Sequence, residues 1–478
     1  MKYFVFCLNL ILIASFAKAQ EVWDLKTCVD YAIANNISVK QADIDARRAQ
    51  LTLKANQYNQ YPSLTFSVSG GVNSGRSIDP TTNQFTQQQL LSSGISLQSG
   101  VTLFNWFSIK NNIAGAGFDA QAASANIDKV KNDIALNVAV AYLQILVSQE
   151  QANISRVALQ QSQQNYMNTK KRVDAGALPE LNLAETEAQV ARDSATYISS
   201  LATVQTNILN LKAVLNLDAA QAFQVSMPPL DQIPVESLND LQPEVVFSLA
   251  LTNLPQQKIN DLRIKAANKY LAATKSAMYP SIGMFGTLGS NYANNKIPKV
   301  TSIATGNYIP TAAKVNVSGT DYSVLTPEVN TSITTSRTAY GVQISDNFRQ
   351  NVGIQLNVPI FNNGAAKLNY QRNQLTVKSL QLTKEQVDRT LKQDIYAAYN
   401  NATNSLQRYY ATIKSVETAE KAFSFAQKRY DLGLLTTIDY ITNQNNLTRA
   451  KLERASAQVD YVFRMKLLEF YKGQGLKL

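Results

Sequence analysis

No histidine occurs anywhere in the 478 residues. That excludes a Ser-His-Asp or Cys-His relay, a histidine proton shuttle and a histidine-ligated metal. The two cysteines allow one disulfide at most. Cys7 falls in a leader expected to be removed, which leaves Cys28 as a single thiol. Gly115-Ala116-Gly117-Phe118-Asp119-Ala120 fits the dinucleotide pattern G-x-G-x-x-A. That pattern binds phosphate only where it directly follows a strand in a βαβ unit. Here ten residues separate it from the preceding strand-like run, ending at Phe104. The chemistry-bearing residues thus point to no enzyme, no cofactor and no metal, and the work must be done by the elements themselves.

The start of the chain reads as a secretory leader over residues 1–19. Lys2 gives a positive start, Tyr3 to Phe16 is largely apolar, and Ala17-Lys18-Ala19 places cleavage before Gln20. No later stretch approaches 18 uninterrupted apolar residues, so an exported chain without a membrane-spanning helix is expected. The net charge is +11, but Lys and Arg are scattered among Glu and Asp with no run of five. Solvated helix faces account for that pattern, and no nucleic-acid partner is expected.

Glycine and proline divide the remainder. Residues 20–61, 118–175, 180–227, 365–432 and 434–472 contain neither, and fifteen of the nineteen glycines fall within 62–117 and 280–364. The long blocks carry apolar residues at alternating steps of four and three. Examples are Leu136, Val140, Leu143 and Val147, continued by Ile154 and Val157, and Ala402, Leu406, Tyr409, Ile413 and Val416. Such spacing wraps long helices around partners.

The glycine-rich windows alternate with period two instead. Leu64, Phe66 and Val68 are interleaved with Ser and Thr, and Val352, Ile354, Leu356 and Val358 with Gly, Gln, Asn and Pro. Residues 63–74, 87–109, 281–295 and 352–366 carry no charge. One apolar face and one small polar face is the signature of transmembrane β-strands, with apolar side chains toward lipid. Tyr61, Phe104, Trp106, Phe107, Tyr279 and Phe361 gather at the strand ends nearest the helices, where an interfacial aromatic girdle belongs. Four strands cannot close a barrel, so several chains must share one; three copies would give twelve strands and room for a lumen.

The chain is also internally duplicated. Tyr61-Pro62-Ser63 recurs 218 residues later as Tyr279-Pro280-Ser281, and Val101-Thr102-Leu103-Phe104-Asn105 recurs 257 residues later as Val358-Pro359-Ile360-Phe361-Asn362. The first repeat, 20–216, is read as a helix, strands near 63–72 and 89–104, a long helix 106–174 and a return helix 180–216. Residues 217–242 form an equatorial linker marked by Pro228, Pro229 and Pro234. The second repeat, 243–478, is read as a helix 244–278, strands near 281–290 and 338–360, a long helix 364–431 and a return helix 436–472. Its extra length is assigned to a Ser/Thr/Asn-rich loop near 291–337. Gly176 and Gly433 each interrupt a helical block and read as the tips of antiparallel helical hairpins.

The order of elements, the duplication and the tip strings Lys-Arg-Val-Asp-Ala-Gly-Ala-Leu and Lys-Arg-Tyr-Asp-Leu-Gly-Leu-Leu resemble the TolC-like outer membrane efflux factors over essentially the whole mature chain. The resemblance implies a mainly α fold with a β-barrel portion. A homotrimer would place a 12-strand barrel in outer-membrane lipid and a helical tunnel across the periplasm. Its partners would be a periplasmic adaptor protein and a proton-driven or ATP-driven inner-membrane pump. Adaptor docking would fall to Arg172, Gly176, Ala177 and Leu178, and to Arg429, Gly433, Leu434 and Leu435. The second-repeat hairpin would be the one that bends inward to close the tunnel. Tyr430 matches a tyrosine of the closing tie, and Asp439 one of two acidic positions ringing the aperture; the other is Thr442. The tie's arginine is Leu435 and its aspartate Asn182, which leaves Tyr430 and Asn182 able to share a hydrogen bond but no salt-bridged lock. With no histidine and six methionines, drug or small-molecule cargo fits better than metal. The rival reading is a structural or adhesive surface protein, a trimeric coiled-coil stalk anchored by a barrel.

Overall fold

The computed structural model describes residues 22–78, 85–226, 235–294 and 296–473. The expected leader and the linker prolines Pro228, Pro229 and Pro234 lie outside the described residues. The chain forms two compact units that cut across the sequence repeats: Met1–Lys54, Asn112–Leu271 and Gln371–Leu478 form one, Ala55–Asn111 and Ala272–Tyr370 the other.

The first unit is built on helices. α1 (Leu25–Asn35) is capped by Asp24, whose carboxylate accepts from the Thr27 amide at 2.7 Å. Asn36 separates α1 from α2 (Ile37–Tyr58); its amide donates to the Val214 carbonyl at 3.0 Å. α3 (Ser108–Asp174) has 67 residues, ~100 Å at 1.5 Å per residue, and α4 (Glu180–Leu215) returns from it. The second repeat supplies α5 (Pro243–Asn253) and α6 (Pro255–Ser276). Its one expected helix is thus two, parted at Leu254 because Pro255 lacks the amide needed to continue. A short parallel ladder joins β1 (Val22–Trp23) to a strand at Gln224–Val225.

Each repeat contributes its own core at equivalent positions. Cys28, Ala32, Val138 and Leu211 form one cluster, and Val246, Ala250, Ile395 and Leu468 the other. Cys28 thus holds a core position that its repeat fills with valine, and burial pushes its thiol up to about 12. One 18-residue stretch of α3 reaches a mean hydropathy of 1.3, enough by length and composition for a membrane span. The same helix supplies Val138, Tyr142 and Ile145 to the core.

The buried seams follow the expected apolar series only in part: Leu143, Ala402 and Val416 are buried, whereas Val140 and Ile413 are exposed. α3 buries Ala152, Ser155, Ala158, Ser162, Asn165 and Thr169, while Val157 stays 41% exposed. The second long helix (Ala365–Asp431) buries Ala398, Ala402, Ser405, Thr412 and Val416. Small side chains let helices approach closely, and the hydroxyls satisfy themselves on their own backbone: Ser162 donates to Leu159 at 3.0 Å and Ser405 to Ala402 at 2.9 Å. Gly115 belongs to this logic and not to nucleotide binding. A Cβ there would lie 2.7 Å from the Tyr270 ring, and the Tyr270 hydroxyl donates to Asp119 at 2.8 Å.

The second unit is built on strands. β2 (Ser63–Ile78) and β3 (Phe85–Phe104) come from the first repeat. Numbering Gln224–Val225 as β4, the second repeat adds β5 (Ser281–Ala293), β6 (Ile297–Val317), β7 (Thr320–Ser336) and β8 (Arg349–Asn357). One antiparallel sheet runs β2-β3-β5-β8. The duplication extends to its register: Ser63 pairs with Gly100 and Ser281 with Asn357, which are the same positions under the 218 and 257 offsets. Phe66, Val68, Leu97, Leu288 and Ile354 share one face; Thr65, Ser67, Gln98, Thr287 and Gln355 share the other.

Two expectations fail here. The loop assigned near 291–337 is a long hairpin, β6–β7, closed by Ser318 and Gly319, both at positive φ. Its Ser/Thr/Asn content concealed a strand alternation. The strand assigned to 338–360 begins instead as a helix, α7 (Tyr340–Asp346), before β8. Tyr340, Val342 and Ile344 alternate as a strand would, but Gln343 ties the segment by donating to the Thr338 and Ala293 carbonyls at 3.0 and 2.9 Å.

Candidate functional site at the helical tips

The long helix Ala365–Asp431 is α8, and α9 (Thr437–Tyr471) returns from it. Both hairpin tips close in the same way. Gly176 and Gly433 each sit at φ 73°. Gly176 N–H donates to Val173 at 2.8 Å and Ala177 N–H to Arg172 at 2.8 Å; Gly433 and Leu434 donate to Tyr430 and Arg429 at 3.0 and 2.8 Å. This is the Schellman pattern, and it needs a left-handed residue at its corner. Around Gly176 a Cβ would meet nothing within 4 Å, so the backbone angle and not crowding calls for glycine. Ala177, Arg429 and Leu434 are exposed beside the turns, and Arg172, Leu178 and Leu435 are half-buried.

Behind the tips the two hairpins of one chain are tied together. The Tyr430 ring is buried and stacks on Tyr440 with centroids 4.6 Å apart. Its hydroxyl lies 3.1 Å from the Thr169 hydroxyl. Arg172 sets its guanidinium 5.8 Å from the same ring and donates to the Tyr430 carbonyl at 3.5 Å. Tyr430 and Asn182 do not pair: the Asn182 amide donates to Thr437 at 2.5 Å. Thr169 intercepts Tyr430 because it ends the small polar seam of α3 directly opposite. Thr169, Thr437 and Tyr440 were not singled out from the sequence. The signal available was their place on the buried stripes, Ser162-Asn165-Thr169 and Thr437-Tyr440-Ile441-Gln444.

Asp439 is exposed and forms a capping pair at the start of α9, its amide donating to Thr436 at 3.1 Å and its carboxylate accepting from that hydroxyl at 2.7 Å. Thr442 is exposed and donates back to Ile438 at 2.8 Å. A polar cavity of about 560 Å³ beside the tie is lined by Gln161, Gln164, Asn165, Asn168 and Gln427 together with Arg172, Tyr430 and Tyr440. Among the described residues no group of three or more His, Cys, Asp or Glu is placed to hold a metal.

Burial pushes the Tyr440 hydroxyl up to about 12, aided by the Asp431 charge and Tyr430. The folded tip favours neutral Tyr440, so its contribution is complete below the unfolded value of about 10 and is lost as pH rises from there through about 12. In a spectroscopic titration of tyrosinate, the difference between wild type and Tyr440→Phe is expected to have its midpoint near the upper limit. A midpoint at the ordinary tyrosine value would mean that the stacked tip is open in solution.

Within the strand unit, four of the aromatic positions touch one another. Trp106 lies 4.9 Å from Tyr279 and 5.5 Å from Phe104, and Phe104 lies 5.8 Å from Phe107. Tyr61, Trp106, Phe107 and Phe361 remain largely exposed. Trp106 and Phe107 adopt positive φ, turning the chain from β3 into α3.

Residues 28–217 and 312–465 match the outer membrane efflux protein family. The chain belongs to that family. It is 19% identical to the outer membrane efflux protein BepC of Brucella suis biovar 1 (strain 1330), over 83% of this chain and 74% of BepC. In fold it is similar to CusC, with a TM-score of 0.75 at 15% identity over 95% of this chain and 93% of CusC. It is also similar to the CmeC outer membrane channel of Campylobacter jejuni, with a TM-score of 0.72 at 16% identity over 95% and 87% of the two chains. An outer membrane efflux protein with this fold resides in the outer membrane, its helices extending into the periplasm.

Proposed function

We propose that this efflux protein is a passive, homotrimeric exit duct, receiving small molecules or drugs from an inner-membrane pump through a periplasmic adaptor. The observation that carries the reading is the four-stranded sheet with one apolar face, one face of Ser, Thr, Gln and Asn, and outer edges on β2 and β8 that pair with no other strand among the described residues. A lone open sheet in lipid leaves two rows of backbone groups without partners, and twelve strands from three chains remove both. The apolar residues left outside the chain's own seams, such as Val140, Val157 and Ile413, are then available to helices of neighbouring copies.

In this reading Gly176, Ala177, Leu178, Arg429, Gly433, Leu434 and Leu435 present the docking ends, and Arg172 both docks and grips Tyr430. Tyr430, through Thr169 and Tyr440, and separately Asn182, through Thr437, hold the tip closed without a salt bridge. Three exposed Asp439 carboxylates near the axis, with Thr442 in place of a second acidic ring, favour cations. The pump's energy source, protons or ATP, is set by the partner; opening is a shift of the inner hairpin when the adaptor docks.

Crosslinking in cells from Leu434→Cys tests this reading. Cys28 is wholly buried and stays out of the reaction. Capture of a periplasmic adaptor is the expected result. Self-crosslinks alone during active growth would remove tip docking and favour a surface stalk.

A further inference from the structure

Among the described residues α7 has no counterpart in the first repeat, and it has no role in the duct, yet its position is specific. The sheet side chains that bond to it or stack on it, among the described residues, lie on the apolar face of the sheet. Ser290 donates to the Ile344 carbonyl at 2.7 Å. The Tyr292 and Tyr340 rings stand 4.9 Å apart, and Ser93 lies 3.4 Å from the Tyr340 hydroxyl. By register, Ser93, Ser290 and Tyr292 share a face with Ile95, Leu97 and Leu288. α7 therefore lies over the outer side of the sheet, at the end away from the Trp106–Tyr279 cluster. Tyr340, Val342 and Phe348 remain 49%, 49% and 52% exposed there.

The height agrees with a membrane boundary. β5 has 13 residues, ~43 Å of strand at ~3.3 Å per residue, and a tilt of ~40° makes that ~33 Å of depth. An apolar band of ~25 Å leaves a few ångströms at each end for aromatic belts. The inner belt is the Tyr61–Phe361 group; on β8 the apolar residues of the lipid-facing side stop at Val352, followed on that side by Gln350. α7 begins at that level.

We propose that α7 is an interfacial anchor, seating Tyr340, Val342 and Phe348 in the headgroup–acyl boundary of the outer leaflet and completing a second aromatic belt with Tyr292. Aromatic residues prefer that boundary because an apolar ring and a polar tip are both accommodated. A short helix, unlike an open strand, carries its own backbone hydrogen bonds into it. The proposal rests on the outer-membrane location and on the lipid-facing sheet of the reading above, not on passage of cargo through the duct.

The test is depth-resolved quenching with the full-length protein in phosphatidylcholine vesicles. An environment-sensitive fluorophore is attached at Val342→Cys, and spin labels sit on the lipid headgroup, near the top of the acyl chain or near its end. Emission from Val342→Cys is expected to fall severalfold with the two shallow labels and little with the deep one. Ile354→Cys, on the lipid face in mid-sheet, should show the reverse order, and Val329→Cys on the β6–β7 hairpin no quenching. Absence of quenching at Val342→Cys, with Ile354→Cys quenched, would overturn the anchor alone. Strongest quenching at Val342→Cys by the deep label would overturn it as well. Absence at both sites would overturn the lipid-facing sheet too. Tyr340→Cys, labelled in the same way, guards against a local effect of the fluorophore and should match Val342→Cys.

Discussion

A chain carrying Ser69→Cys and Gln355→Cys is expected to run as covalently closed trimers after oxidation, with almost no monomer. The expectation comes from the joint between repeats. Gln98 on β3 pairs with Thr287 on β5. The offsets of 257 and 218 carry Gln98 to Gln355 on β8 and Thr287 back to Ser69 on β2. Since the pairing inside each repeat is identical, the edge between copies should copy the joint inside the chain. Directly opposed residues on antiparallel strands have Cβ atoms ~4.5–5.5 Å apart, close enough for a disulfide with slight adjustment. Both positions are on the polar face, so lipid does not intervene. Ser69→Cys with Leu356→Cys serves as a control: Leu356 lies on the opposite face and should not link. If Gly353→Cys links to Ser69→Cys in preference to Gln355→Cys, the edge register is shifted by two. If neither links, β2 and β8 do not meet.

The second large effect is expected at the tip. Tyr430→Ala removes a buried ring that stacks on Tyr440, receives Arg172 and reaches Thr169. Loss of a buried aromatic costs about 3–5 kcal/mol. Tyr430→Phe removes only the hydroxyl contact, about 1 kcal/mol. Single-channel conductance in planar bilayers should therefore rise slightly in Tyr430→Phe and strongly in Tyr430→Ala. Thr169→Val should resemble Tyr430→Phe, because it deletes the other half of the same hydrogen bond. Equal conductance in wild type and Tyr430→Ala would show that the tie does not hold the aperture.

Much of this architecture is legible in the sequence because its signals are long and repeated. Period-two alternation without charge marks the sheet, and two glycines in otherwise glycine-free blocks mark the tips. What is not legible follows from competing signals. The β6–β7 hairpin is rich in Ser, Thr and Asn, residues that also build loops, and its alternation is broken by irregularities at Ala304/Tyr308 and Pro310/Lys314. α7 looks like a strand because Tyr340, Val342 and Ile344 alternate over a segment too short to show a helical period. Parts of the helix seams, such as Ser155 and Ala158 flanking exposed Val157, are missed because close packing selects Ala, Ser and Thr, which a search for large apolar residues passes over. For the same reason Thr169, the partner of Tyr430, hides among seam residues, while Asn182 holds the position that resemblance favours.

The matched registers and matched cores of the two repeats also bear on ancestry. A half-length chain with these pairings would need six copies to build the same ring, and all six would be identical at every tip and every outer loop. Fusing two halves into one chain keeps the geometry but frees each half to vary alone. Among the described residues the β6–β7 hairpin and α7 occur once per chain and would appear three times around a ring of three chains, not six. The tips have diverged likewise, with Pro179 preceding α4 where Thr436 and Asp439 cap α9. On the readings proposed above, duplication would have let one half acquire moving and membrane-seating parts while the other kept the frame.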